Sequence, residues 1–253
     1  MRGRKLKIRL LIGVAIIAFA YVQRCNRQEI NPYTGKKQAI SMTTDQEIAI
    51  GLQNAPQMAQ QHGGLYPDER LQAYVDMVGN KLVNSSLARE TPYKYDFHLL
   101  ADDQTINAFA LPGGQCFITY ALLSKLESED QLAGVLGHEI GHVLGKHSAE
   151  RISESEYWST VTTGATVFDM GGVAGGYGQN TLLKNGRGDE LESDELGVKF
   201  MIDAGYNPEA MIGVMQILKN AAGPNRVPEF QSSHPDPENR IEKIKEAIKK
   251  YKH

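Results

Sequence analysis

The segment Ser128-Glu-Asp-Gln-Leu-Ala-Gly-Val-Leu-Gly-His138-Glu139-Ile140-Gly141-His142-Val-Leu-Gly-Lys-His147-Ser-Ala-Glu150 decides how the rest of the chain is read. Ser128, Glu129 and Asp130 supply helix-start signals, and the pattern beyond them predicts a helix to about Glu150. Leu132, Val135, Leu136, Ile140, Val143 and Leu144 surround its axis, and a helix apolar on most sides is buried. His138, Glu139 and His142 nevertheless sit in its middle, where ionisable groups need partners or a metal ion. Residues four apart lie one turn above each other, so the imidazoles of His138 and His142 can reach one ion. Glu139 points about 100° away from His138; it misses the ion but can hydrogen-bond a water held there, as a general base must.

A catalytic zinc keeps three protein ligands and an open position, so a third ligand has to come from elsewhere. His147 follows His142 by five positions, about 140° around a continuous helix, and is expected to face away. The longer metzincin pattern fits at Gly145 but fails at its last position, Ser148. Further on, Asp189-Glu-Leu-Glu-Ser-Asp-Glu195 opens a predicted helix over about 190–204 and sets Glu190 and Asp194 on one face. Glu190 can be the third ligand, and Asp194 can accept the free ring N–H of a ligating histidine. Asp189 is expected as the helix cap, and Glu192 and Glu195 as solvated. One Zn2+ per chain is the implied cofactor.

Outside this constellation the chain is an ordinary globular composition, 253 residues with 41% hydrophobic, enough for one sizeable core. Its net charge of −3 hides five cations within the first nine residues, Arg2, Arg4, Lys5, Lys7 and Arg9; setting them aside leaves the remainder at −8. A body that acidic repels phosphate backbones, so no nucleic-acid partner is expected. The cations run into the apolar stretch Leu10 to Val22, short for a span, with Ala18-Phe19-Ala20 as a peptidase site: an export signal or an anchor, either of which sends the remainder of the chain across the membrane. Two cysteines, Cys25 and Cys116, exclude a disulfide framework and a cysteine zinc site.

The expected organisation is therefore a signal or anchor over 1–25, a turn-rich connector over 26–44, and one catalytic domain over 45–253. Helices are predicted over about 45–61, 69–84, 208–220 and 238–251, and a small sheet between Tyr93 and Thr119. The Gly-rich run from Gly164 to Gly178 lacks a phosphate-loop ending and is read as a mobile cover.

Five elements in order, Asn31-Pro-Tyr-Thr-Gly35, Asn107-Ala-Phe-Ala-Leu-Pro-Gly-Gly114, His138 to His142, Glu190 to Asp194, and Ser233-His-Pro-Asp-Pro-Glu-Asn-Arg240, together resemble the membrane-associated gluzincins of metallopeptidase family forty-eight. That family includes the CAAX-prenyl endopeptidases, the HtpX heat-shock proteases and the Oma-type quality-control peptidases. The resemblance implies an α+β, mainly helical zincin-like fold with a small sheet beside the active-site helix. It implies a zinc metalloendopeptidase in which His138, His142 and Glu190 hold the ion, Glu139 is the base and Asp194 orients a ligand. It further implies that His234 and Arg240 face the substrate carbonyl or its oxyanion, or that His234 is a fourth ligand in a closed resting form. Asn107 would begin the strand along which an extended peptide adds itself. Relatives usually carry alanine where this chain has Ser193. The implied substrates are misfolded or unassembled proteins of the bacterial cell envelope, with the catalytic domain periplasmic or anchored to the inner membrane. A zinc-bound chaperone or assembly factor with a closed cleft is the alternative.

Overall fold

The computed structural model describes residues 2–221, 234 and 239–252, with side chains from residue 7 onward. The fold is mainly helical α+β. The chain divides into two compact units, residues 1–43 with 149–186, and residues 44–148 with 187–253.

The first unit opens with α1 (Arg2–Asn26), whose stretch Lys7–Asn26 is long and apolar enough to cross a membrane. The helix runs beyond the apolar stretch through Gln23 and Arg24. The expected connector contains a hairpin, β1 (Gln28–Ile30) antiparallel to β2 (Lys37–Ala39). Its turn forms because the Asn31 side-chain oxygen accepts from the backbone N–H of Tyr33 at 2.9 Å and of Thr34 at 3.2 Å.

The expected mobile cover is helical instead: α6 (His147–Thr166) runs through Gly164, and α7 (Gly171–Asp203) begins within the same run. Glycine permits helix-on-helix approach there. A Cβ on Gly164 would stand 2.9 Å from the Gly13 carbonyl oxygen, and one on Gly178 would meet the Trp158 side chain at 2.9 Å. Because α7 starts at Gly171 rather than near Glu190, Asp189 lies inside the helix and caps nothing.

The second unit holds the core. Helices α2 (Thr44–Gln61) and α3 (Glu69–Ser85) precede a three-stranded sheet of β3 (Asp96–Leu100), β4 (Ala108–Ala110) and β5 (Gln115–Thr119), ordered β3-β5-β4. β5 is buried throughout and pairs parallel with β3 and antiparallel with β4, which leaves β4 at an edge. Gly113 and Gly114, with φ of 82° and 112°, make the turn between β4 and β5 that a residue with a Cβ resists. The short α4 (Tyr120–Leu123) leads to α5 (Glu129–Leu144), with α8 (Ala210–Ala221) and α9 (Arg240–Tyr251) completing the unit. Glu238, where the last helix was expected to begin, lies outside the described residues.

Ser128 caps α5 by accepting from the Gln131 N–H at 3.2 Å. The helix stops at Leu144, six residues earlier than the sequence pattern suggests. Lys146 takes a left-handed φ of 56°, and its ammonium, 3.0 Å from buried Glu47, ties the turn to α2. The chain then restarts as α6 at His147.

What positions the site is the approach of α5 to α7. A Cβ on Gly141 would lie 2.9 Å from the Ser193 carbonyl oxygen, and one on Gly197 would lie 3.0 Å from the His138 nitrogen. Both helices therefore meet backbone to backbone, and neither backbone can yield locally. Gly141→Ala should lower stability by about 1–3 kcal/mol, read as a shifted denaturation midpoint; an unshifted midpoint would show that α7 moves away without cost.

Candidate metal centre

α5 and α7 bring the sequence-predicted residues together. One ligand atom from each of His138, His142, Glu190 and His234 lies within 4.8 Å of the others. His142 Nε2 is 3.0 Å from His138 Nε2 and 3.3 Å from Glu190 Oε1, while Glu190 Oε2 is 3.2 Å from His138 Nε2. His234 Nδ1 is 3.1 Å from Glu190 Oε1 and 3.3 Å from His138 Nε2. Three imidazole nitrogens and one carboxylate converging in a buried space form a donor set suited to a divalent transition metal.

Glu139 stands beside this cluster. It is fully buried, and among the described residues neither of its carboxylate oxygens has a hydrogen-bond partner. His234 Nε2 is 3.7 Å from one of them. Burial raises the Glu139 pKa, with the nearby His234 and His138 opposing the shift. A buried carboxylate with open lone pairs at the rim of a ligand cluster fits a group whose partner is a water or substrate on the ion.

Asp194 accepts from Arg240 Nε at 2.6 Å and from a second guanidinium nitrogen at 2.9 Å, a bidentate pair, and lies 2.9 Å from His138 Nδ1. Arg240 also approaches Glu190 at 3.3 Å and is 3% exposed. Its guanidinium thus pairs with two carboxylates of the cluster, Asp194 and Glu190. Burial opposes ionisation of Asp194, but Arg240 and His138 together hold its pKa below the ordinary value.

Asn107 sits immediately before β4. Its carbonyl accepts from the Thr119 N–H at 3.0 Å, and its own N–H donates to the Thr119 hydroxyl at 3.1 Å. Leu111 N–H bonds Gln115 O, so residues 107 and 111 face β5, and by alternation the main-chain groups of Ala108 and Ala110 face away from it. On that outer edge His234 Nε2 lies 3.1 Å from the Ala108 carbonyl oxygen.

Sequence reasoning missed His147. The turn at Gly145 and Lys146 breaks the helix phase on which its outward placement depended, and the ring lies buried with Nδ1 3.0 Å from His142 Nδ1. Glu192, expected in solvent, is 3.0 Å from His147 Nε2. The turn-forming Gly145-Lys146 pair was the available signal.

Residues 69–248 match the family model described as Peptidase family M48, and they contain every site residue named above. The chain belongs to peptidase family M48. Among its M48 relatives, the beta-barrel assembly-enhancing protease of Yersinia pestis is 31% identical over 85% of this chain and 46% of its own length. The mitochondrial metalloendopeptidase OMA1 of Schizosaccharomyces pombe is 32% identical over 69% of this chain and 52% of its own length. The beta-barrel assembly-enhancing protease of Escherichia coli (strain K12) is 29% identical over 92% of this chain and 49% of its own length. The chain thus spans about half the length of these curated relatives. M48 peptidases depend on a metal, and the convergence of His138, His142 and Glu190 fits one.

A metal held by His138, His142 and Glu190 would load in a pH-dependent way. Burial works against a charged His138, but its hydrogen bonds to Asp194 and Glu190 outweigh burial and raise its pKa to about 9. Burial pushes His142 well below its usual value, so it is neutral. Burial alone would raise Glu190, but His234 and His142 hold it well below the carboxylate range, so it is ionised. Loading at pH 7 must therefore expel a proton from His138, and affinity should rise about tenfold per pH unit up to that raised pKa. Calorimetric titration with zinc in two buffers of different ionisation enthalpy should give different apparent enthalpies; identical values would contradict a proton held on His138.

Proposed function

We propose that this M48 chain is a zinc-dependent endopeptidase of the cell envelope, with His138, His142 and Glu190 as ligands and Glu139 as general base. The observation that carries the reading is the convergence of those three ligands beside a buried carboxylate with open lone pairs. Bound there, the ion supplies Lewis acidity toward a peptide carbonyl and lowers the pKa of water. Glu139 takes a proton from the attacking water as its oxygen bonds the carbonyl carbon. Glu139 then returns that proton to the leaving amine as the C–N bond breaks. The raised pKa of Glu139 makes it a stronger base for the first transfer. Asp194, anchored by Arg240, holds the His138 ring by accepting its Nδ1–H.

The outer edge of β4, beginning after Asn107, suits an extended peptide added by main-chain hydrogen bonds, a mode tolerant of side chains. Substrates are accordingly unfolded or unassembled proteins. The β-barrel assembly named in two relatives and the basic flank of α1 favour envelope proteins, met outside the cytoplasm by a catalytic domain over 45–253, with α1 as signal or anchor. Glu139→Gln should keep full zinc content while hydrolysis of unfolded casein falls by at least about 10²-fold; undiminished cleavage would remove Glu139 from the chemistry.

A closed resting form is the second reading, favoured by His234 alone. Its ring reaches both Glu190 and the Ala108 carbonyl, so it takes up the open position and the strand edge together. In that state the protein would hold a client rather than cut it, as a chaperone does. His234→Ala should then raise casein hydrolysis and leave zinc binding intact, whereas lower hydrolysis with unchanged zinc would assign His234 to the substrate carbonyl instead.

A further inference from the structure

His147 and Glu192 lie outside the set that performs the proposed chemistry, yet they touch it. We infer that His147 is a positioning residue for His142: its Nδ1 accepts the Nδ1–H of His142, and its own Nε2–H is donated to Glu192. The inference rests on the reading of His142 as a metal ligand.

The hydrogen count leads there. His142 turns its Nε2 to the cluster, 3.0 Å from His138 Nε2 and 3.3 Å from Glu190 Oε1. A neutral imidazole that ligates through Nε2 carries its proton on Nδ1, and a buried N–H needs an acceptor. The atom 3.0 Å from His142 Nδ1 is His147 Nδ1. Two ring nitrogens at that distance share one proton, so His147 must be the acceptor and keep its own proton on Nε2. That nitrogen faces Glu192 Oε2 at 3.0 Å, and Asp189 Oδ1 stands 3.8 Å away. The Ser193 hydroxyl stands 3.2 Å from His147 Nδ1.

Each ligating imidazole of α5 thereby acquires its own carboxylate. His138 reaches Asp194 directly, and His142 reaches Glu192 through an intervening ring. The backbone is built to place that ring. Lys146 is held in its left-handed conformation by the buried contact with Glu47, and a Cβ on Gly145 would collide with His147 Nε2. Only a glycine leaves the ring its place beneath the turn.

The test measures zinc affinity of the full chain by competition with a chromophoric chelator, zinc per chain, and histidine tautomers by long-range 1H–15N NMR of the zinc-loaded protein. His147→Ala should weaken zinc about 10- to 100-fold with the circular dichroism of the parent. His147→Asn, whose side-chain oxygen can stand near the place of Nδ1, should recover most of the loss. Glu192→Ala, at a half-buried position, should weaken zinc in the same direction and guards against a folding defect in His147→Ala. The His142 ring should show its proton on Nδ1. Parent affinity in His147→Ala, or no recovery in His147→Asn, overturns the inference. So does a second zinc per chain that Glu192→Ala removes, which would make His147, Asp189 and Glu192 a metal site of their own. A His142→Ala control separates the two claims: lost zinc there beside an unaffected His147→Ala sinks this inference alone, while retained zinc sinks the metal reading with it.

Discussion

The site depends on two helices approaching closer than side chains ordinarily allow. At Gly141 and Gly197 the facing surfaces of α5 and α7 are main chain, and the gap that would hold a Cβ on either helix is already filled by backbone atoms of the other. That contact brings Glu190 and Asp194, contributed by α7, within about 3 Å of imidazoles contributed by α5. With larger residues at the crossing, the carboxylates would stand off from the histidines and no common ion could be gripped.

Charge balance follows from the same contact. Three imidazoles, three carboxylates and a guanidinium are gathered in one largely buried place, and taking such groups out of water is costly unless they neutralise one another. Arg240 neutralises Asp194 and approaches Glu190, which favours the ionised form of both carboxylates, and Asp194 in turn orients the His138 ring. Glu139 has no hydrogen-bond partner among the described residues, and His234 Nε2 approaches it only to 3.7 Å. Buried carboxylates are ordinarily hydrogen-bonded, so the open lone pairs of Glu139 set it apart from Asp194 and Glu190.

The edge strand and the cluster share one boundary. β4 presents the outward main-chain groups of Ala108 and Ala110, and His234 meets that edge through one ring nitrogen and the ligand cluster through the other. A peptide laid along that edge and an ion held in the cluster would both meet this one side chain, which ties the open and closed readings to one geometric question.

The sequence by itself determined which groups are candidates for the ion and the base, because the four-residue spacings of His138 with His142 and of Glu190 with Asp194 are local properties of a helix. It also determined the sheet region and the amphipathic helices, from short-range periodicity. It misjudged the end of α5, the glycine run before Asp189 and the surroundings of His147. In each case the deciding partner is distant in the chain: Glu47 beneath Lys146, Gly13 against Gly164, and Glu192 beside His147. Arg240 was legible as a site residue, but only packing shows its pairing with Asp194 and Glu190. Local spacing can say which groups could share an ion; which charges neutralise one another is settled only when the helices carrying them are pressed together and water is excluded.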